Sequence, residues 1–302
     1  MFNHILVPLD GSLMAESAIP AAAFLAGKFG ARVTLMHVIE KNAPREVHGQ
    51  PHLKNVNDAV NYLNGVSKRG FPEGNAVECH VHEAAVEDVS RSIVAHADEL
   101  NHDLVIMCSH GGGKALHLFM GSIAQSVIAL DSRPVLITHP NEQGEAPPFS
   151  CGKILVPLDE HPEHAQAVPC SEGVARACGA SVHLAMVIPR LTTLSGNMTL
   201  TGRMLPGTTS RMLELAYQDA EKYLQFLLRT LVDQGFTASA HVLRGDPAKT
   251  IVEAADRAEI DLIVLATHGK AGMEAFWAGS VTHKICSWSK VPLLLIPIKT
   301  DA

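Results

Sequence analysis

The chain has 302 residues, of which 24 are Lys or Arg and 31 Asp or Glu, for a formal net charge of −7. That length accommodates two domains, each able to bury its own core, and a composition of 47% hydrophobic and 18% charged residues excludes a disordered chain. The acidic balance, the absence of a Lys/Arg-rich run and the lack of any apolar stretch of ~18–20 residues argue against nucleic acid, an anionic membrane surface and a membrane span.

Ile5–Leu9 is an apolar run of strand length without helical spacing. Ala15–Phe29 carries apolar residues at helical intervals, and Pro20 within it predicts a kink. Val33–Val38 is the second strand and Val56–Lys68 the second helix. Val77–His82 alternates apolar and polar residues as a partner strand, and Val86–Leu100 follows as a helix. Leu104–Cys108, the helix Ser122–Leu130 and the strand Val135–Thr138 complete the series. Continuous apolar strands suit a parallel sheet covered on both faces. The polar, Pro/Gly-containing segment from Asn141 to Pro148 reads as a linker.

Beyond the linker the pattern returns. His4-Ile5-Leu6-Val7-Pro8-Leu9-Asp10 recurs as Lys153-Ile154-Leu155-Val156-Pro157-Leu158-Asp159, and Gly30–Ile39 recurs as Gly179–Ile188 at the same offset. Asp103-Leu104-Val105-Ile106 with Ser109-His110-Gly111 recurs as Asp261-Leu262-Ile263-Val264 with Thr267-His268-Gly269, now nine residues further on. The second copy is therefore longer between Ile188 and Asp261. The Thr/Gly/Ser-rich stretch Leu191–Ser210 is expected to be a long loop, mobile or a lid, before a helix Arg211–Gln234. Residues 1–140 form the first domain, 141–150 the linker and 151–299 the second domain. Strand–helix alternation of this kind gives right-handed βαβ units and an open α/β sheet, whose ligands sit at the carboxyl ends of the strands where strand order reverses.

Two features converge on that position. Val7-Pro8-Leu9-Asp10-Gly11-Ser12 places a carboxylate and a hydroxyl on the loop leaving the first strand. Gly111 is followed, nine residues later, by Gly121-Ser122 opening a helix; Gly269 stands in the same relation to Gly279-Ser280. Glycine lets the backbone approach an anion, and the free N–H groups of a helix N-terminus bind phosphate. The same glycine-serine pairs also make ordinary turns and helix caps, and Asp10 and Asp159 serve equally well as caps or ligand contacts.

Both copies resemble the universal stress protein domain, and the whole chain apart from linker and tails resembles its tandem form. That family's ATP-binding branch carries Gly-x-x-Gly, nine residues, then Gly-Ser/Thr, with Val-Pro-x-Asp on the first strand. The resemblance implies two tandem open parallel-sheet Rossmann- or flavodoxin-like domains packed as a pseudo-dimer. It implies base and ribose against Pro8, Asp10 and Val38, with phosphates on Gly111, Gly121 and Ser122. The second-domain counterparts are Pro157, Asp159 and Val187 with Gly269, Gly279 and Ser280, followed by Val281; His268 stands beside the phosphate loop. The first glycine of the motif is Cys108 in one copy and Ala266 in the other, the larger intrusion being Cys108. The second copy keeps Gly245-Asp246-Pro247, whereas the first has Glu87-Asp88-Val89, whose carboxylates with Glu83 would repel a triphosphate if they faced the site. On these grounds the second domain ranks as the better nucleotide site.

The chain holds 17 histidines. His80 and His82 alternate and project from one strand face, a geometry zinc could use with His48, His52 or Glu78 completing the set; a solvated strand face is the plainer reading. His161-Pro162-Glu163-His164 raises the same idea more weakly. Six scattered cysteines without a Cys-x-x-Cys pair fit reduced thiols, and the start Met1-Phe2-Asn3-His4 has no basic leader, so a cytoplasmic protein is expected. No nucleophile elbow or Walker lysine occurs. The function expected is a stress-response protein that binds ATP or a related adenine nucleotide and signals its occupancy to a partner, with homodimers of the chain. The alternatives are a nucleotide-free interaction or zinc-binding protein, and a slow ATPase with magnesium near Asp159 or His268.

Overall fold

The computed structural model describes residues 1–109, 120–141, 144–267 and 280–298. Two compact units emerge, one gathering residues up to Ser150 together with the last strand, the other gathering Cys151–Thr267 and the helix before that strand.

In the first unit the chain runs β1 (His4–Pro8), α1 (Ile19–Phe29), β2 (Arg32–Glu40), β3 (Glu46–Val47), β4 (Gln50–Pro51), α2 (Val56–Gly70), β5 (Val77–Val86), α3 (Val89–Glu99), β6 (Leu104–Cys108), α4 (Ser122–Leu130) and β7 (Val135–Thr138). The strands lie in the order β7-β6-β1-β2-β5, all parallel. Ile5, Leu6, Val7, Leu35 and Ile106 are fully buried, as expected of strands with helices on both faces. The chain's last strand, Leu293–Pro297, pairs antiparallel with β7, Leu294 opposite Leu136.

The second unit holds β8 (Lys153–Leu158), α5 (Ala167–Cys178), β9 (Ser181–Ile188), α6 (Asn197–Met204), α7 (Pro206–Asp233), β10 (Ala238–Arg244), α8 (Pro247–Ala258), β11 (Leu262–Thr267) and α9 (Val281–Trp288). Its strands follow the order β10-β9-β8-β11, again parallel. In each unit strand order reverses beside the first strand, between β1 and β6 and between β8 and β11.

Several local expectations change. Pro20 does not kink a helix: a 3₁₀ turn, Ala15–Ala18, precedes α1, and Pro20 sits in the first turn, where its missing N–H costs nothing. Strand β5 runs on to Val86 because its pairing with β2 continues past a bulge, Glu40 facing Val86. Helix α3 then starts at Val89, with the Asp88 carboxylate accepting from the Arg91 N–H. The Leu191–Ser210 stretch is largely helical, not a loop. Thr199 donates its hydroxyl to the Leu194 carbonyl within it, Gly202 lies close against Leu194, and Pro206 opens α7. The buried Thr209 hydroxyl donates to the Leu205 carbonyl at 2.9 Å. Tertiary packing outweighs the weak helix propensity of Thr, Gly and Ser here.

Candidate functional site

A cavity of about 210 Å³ opens at the carboxyl ends of β1, β2 and β6 in the first unit. Pro8 and Asp10 come from the end of β1, Val38 from β2, Cys108 from the end of β6, and Gly121 and Ser122 from the start of α4; all six line it. These are all the expected first-domain residues that lie within the described chain; Gly111 lies outside it. Gly121 is the cap residue of α4, and its N–H donates to the Ser109 carbonyl at 2.7 Å, which anchors the helix start beside β6. Ser122 is exposed at the first helical position.

Asp10 accepts from the Ser12 N–H at 2.9 Å, and the Ser12 hydroxyl accepts from the Ala15 N–H at 3.1 Å, so the strand-to-helix turn holds the carboxylate at the rim. Gly11 has φ +93°, and a Cβ there would stand 2.9 Å from Leu53. Only glycine gives both that backbone and that approach.

One wall of the cavity escaped the sequence reading. The β3–β4 hairpin turns through His48 and Gly49, with φ of 51° and 76°, the two positive values of a type I′ turn. Val47, His48 and His52 reach the cavity from this segment. His48 Nε2 stands 3.6 Å from an Asp10 oxygen, and His52 Nε2 stands 3.5 Å from Glu40. Buried His37 donates through Nδ1 to the Leu9 carbonyl at 2.7 Å, and its Nε2 lies 3.3 Å from the Leu53 carbonyl. The Leu13 N–H donates to the Gln50 side chain at 2.7 Å, tying the hairpin to the loop after β1. The Gly in Val47-His48-Gly49-Gln50 was the available signal for this turn.

These positions overturn part of the zinc expectation. His48 and His52 face the cavity, because the hairpin folds over the ends of β1 and β2, and they do not join His80 and His82. The third ring beside that pair is His96 of α3, with centroids 4.9 Å from His80 and 4.8 Å from His82. His82 meets His96 edge-on and His80 is tilted against it, and among the described residues no group of three or more His, Cys, Asp or Glu is placed to hold a metal ion. Burial, then the neighbouring His96 and His82, holds His80 below its ordinary value. The first-domain carboxylates also have other occupations: Glu87 pairs with Lys41 at 2.8 Å, and Asp88 caps α3 and pairs with Arg91.

In the second unit Pro157 and Ala266 are buried at the ends of β8 and β11, and Val187 is half-buried on β9. Asp159 sits just past β8, where both carboxylate oxygens lie 2.7 Å from His164 Nδ1 and one accepts from the His161 N–H at 3.0 Å. Burial pushes the Asp159 carboxyl up, but the His164 and His161 bonds outweigh it and hold the group below the usual range. The Asp159 bond in turn raises His164. Ser280 is the cap of α9, its hydroxyl accepting from the His283 N–H at 3.1 Å, and Val281 follows, exposed, in the first turn. His268, Gly269 and Gly279 lie outside the described residues.

An open, parallel sheet with a crevice where strand order reverses defines a doubly wound α/β domain. Residues 1–139 and 151–297 each match the model of the universal stress protein family, and the chain belongs to that family, with two such domains in tandem. A universal stress protein of Mycolicibacterium smegmatis is 24% identical over 310 residues, covering 97% of this chain and 96% of its own. One from Synechocystis is 31% identical over 137 residues, 45% of this chain and 85% of its own. The solved structure of a universal stress protein from Archaeoglobus fulgidus shares the fold, with a TM-score of 0.68 at 17% identity over 99% of this chain and 98% of that one. Among the described residues no helix is long and apolar enough to cross a membrane.

Proposed function

We propose that the protein is a regulatory binder of ATP or a related adenine nucleotide, and that its principal site is the first-domain cavity. The observation that carries this reading is the convergence of Pro8, Asp10, Val38, Cys108, Gly121 and Ser122 around one cavity at the strand-order reversal. Met36, Val38 and Met107 offer apolar surface for a base, and Asp10 a carboxylate for ribose hydroxyls. The start of α4 supplies N–H groups and a positive dipole end for phosphate. This reading puts the first domain ahead of the second, whereas the comparison of Cys108 with Ala266 and of Glu87-Asp88-Val89 with Gly245-Asp246-Pro247 in the sequence favours the second. In the second domain Asp159 is engaged by His164 and the Ser280 hydroxyl by its own helix.

The test is acid extraction of freshly purified protein, with released nucleotides identified and counted, followed by calorimetry with ATP. One adenine nucleotide per chain, lost in Gly121→Glu and kept in Gly279→Glu, is the expected result. Loss only in Gly279→Glu would return the site to the second domain, and no binding by either route would overturn the reading.

A further inference from the structure

Helix α6 turns one side to its own domain. The Thr199 hydroxyl donates to the Leu194 carbonyl at 2.8 Å, and a Cβ on Gly202 would meet Leu194 at 2.7 Å. At about 100° per residue, Leu200 and Met204 fall on the opposite side of the helix, one turn apart. They are 63% and 79% exposed, and Leu205, which follows them, is 56% exposed. A surface helix ordinarily presents polar residues there.

The charges around this face have one sign. Arg190, Arg203 and Arg211 are all exposed, and no Asp or Glu occurs from Arg190 to Leu213. Each arginine directly precedes an exposed apolar residue: Leu191, Met204 and Met212. Among the described residues none of the three arginines forms an ion pair. The next acids along the chain, Glu214 and Asp219, are held by Arg244 at 2.9 Å and Lys222 at 3.0 Å. The net charge of −7 opposes a general attraction to anionic surfaces, but charges beyond a Debye length of about 8 Å are screened at physiological salt, so the local balance governs contact. Exposed apolar side chains flanked by arginines suit the boundary between lipid headgroups and acyl chains, with the arginine stems on the apolar surface and the guanidinium groups on phosphate. Met204 stands out from the helix end, a form that inserts into a fluid boundary rather than one that receives a partner's side chain. From this apolar exposure and charge complementarity we infer that α6 and the start of α7 dock on an anionic lipid bilayer, with Leu200, Met204 and Leu205 entering it and Arg190, Arg203 and Arg211 on its phosphates.

The inference is independent of the nucleotide reading and is tested by cosedimentation of the full chain with vesicles. Vesicles of phosphatidylglycerol mixed with phosphatidylcholine should carry the protein down, and vesicles of phosphatidylcholine alone should leave it in solution. Leu200→Glu combined with Met204→Glu should abolish the partitioning with circular dichroism unchanged. Each arginine near such a surface is worth about fivefold, so Arg203→Gln combined with Arg211→Gln should weaken it on the order of twentyfold. No partitioning into the anionic vesicles, equal partitioning into both kinds, or partitioning that neither double variant weakens would each overturn the proposal. Binding of an acidic protein through these residues without any vesicle binding would overturn it too, in favour of a protein interface.

Discussion

Two buried histidines make the first domain acid-sensitive. His4 at the start of β1 and His102 just before β6 are 6% and 3% exposed, with ring centroids 3.9 Å apart. Burial, then the neighbouring His4 and Arg133, pushes His102 down to about 4 from its ordinary 6.5. Burial and Arg32 lower His4 as well. The folded domain thus keeps His102 neutral where the unfolded chain has already taken up a proton. Its stability is complete above pH 6.5 and falls as pH drops from there towards 4. At pH 5 the gap below the unfolded value is one and a half units, and at ~1.36 kcal/mol per unit His102 alone accounts for about 2 kcal/mol of loss. Hydrogen exchange of peptides spanning β1 and β6, measured at pH 7 and pH 5 and corrected for intrinsic rates, reads this out in the first domain. In His102→Leu, which removes the titrating ring, the drop should shrink by that amount. An equal drop in both proteins, or a His102 resonance titrating near 6.5, would refute the reasoning.

Gly11→Ala must force a Cβ into a left-handed backbone against Leu53, and should cost about 1–2 kcal/mol of first-domain stability; an unchanged urea midpoint counts against the packing described. In the second domain the His164 ring should titrate above 6.5 by NMR and fall back towards it in Asp159→Asn. The His164 share of that pair's stabilisation is complete below 6.5 and lost as pH rises through the folded midpoint. The Asp159 share is complete above 3.8 and lost as pH falls. A His164 midpoint indifferent to Asp159→Asn would show that the 2.7 Å contact does not govern it.

The strands and the two-copy plan were legible because buried parallel strands are written as short apolar runs, and Ile5–Val7 and Ile154–Val156 carry the same run. The strand-end residues were legible for a related reason. Pro8, Asp10 and Val38 stand at fixed distances from those runs, so locating the strand locates the rim. The hairpin was not, because its two-residue strands are too short to show a period and its turn uses His48-Gly49 where Asn-Gly or Asp-Gly is the usual signal. The partner of His80 and His82 was hidden for another reason: His96 comes from a different element, and one chain's spacing says nothing about which helix crosses which strand face. Ser122 and Ser280 match in sequence yet differ in place, the first at the opening helical position and the second in the cap with its hydroxyl engaged.

The two copies diverge most at one connection, the segment leaving their second strand. In the first domain it folds into the β3–β4 hairpin, which brings His48 and His52 over the cavity and leads into the 15 residues of α2. In the second it becomes α6 and the 28 residues of α7. The same departure appears where the first strand ends. Gly11 permits the approach of Leu53 in one copy, while Glu160 stands at its counterpart and Asp159 turns to His164 in the other. The extra length of the second copy goes into these helices, and α7 buries Ala220, Leu224 and Leu231 against its own domain.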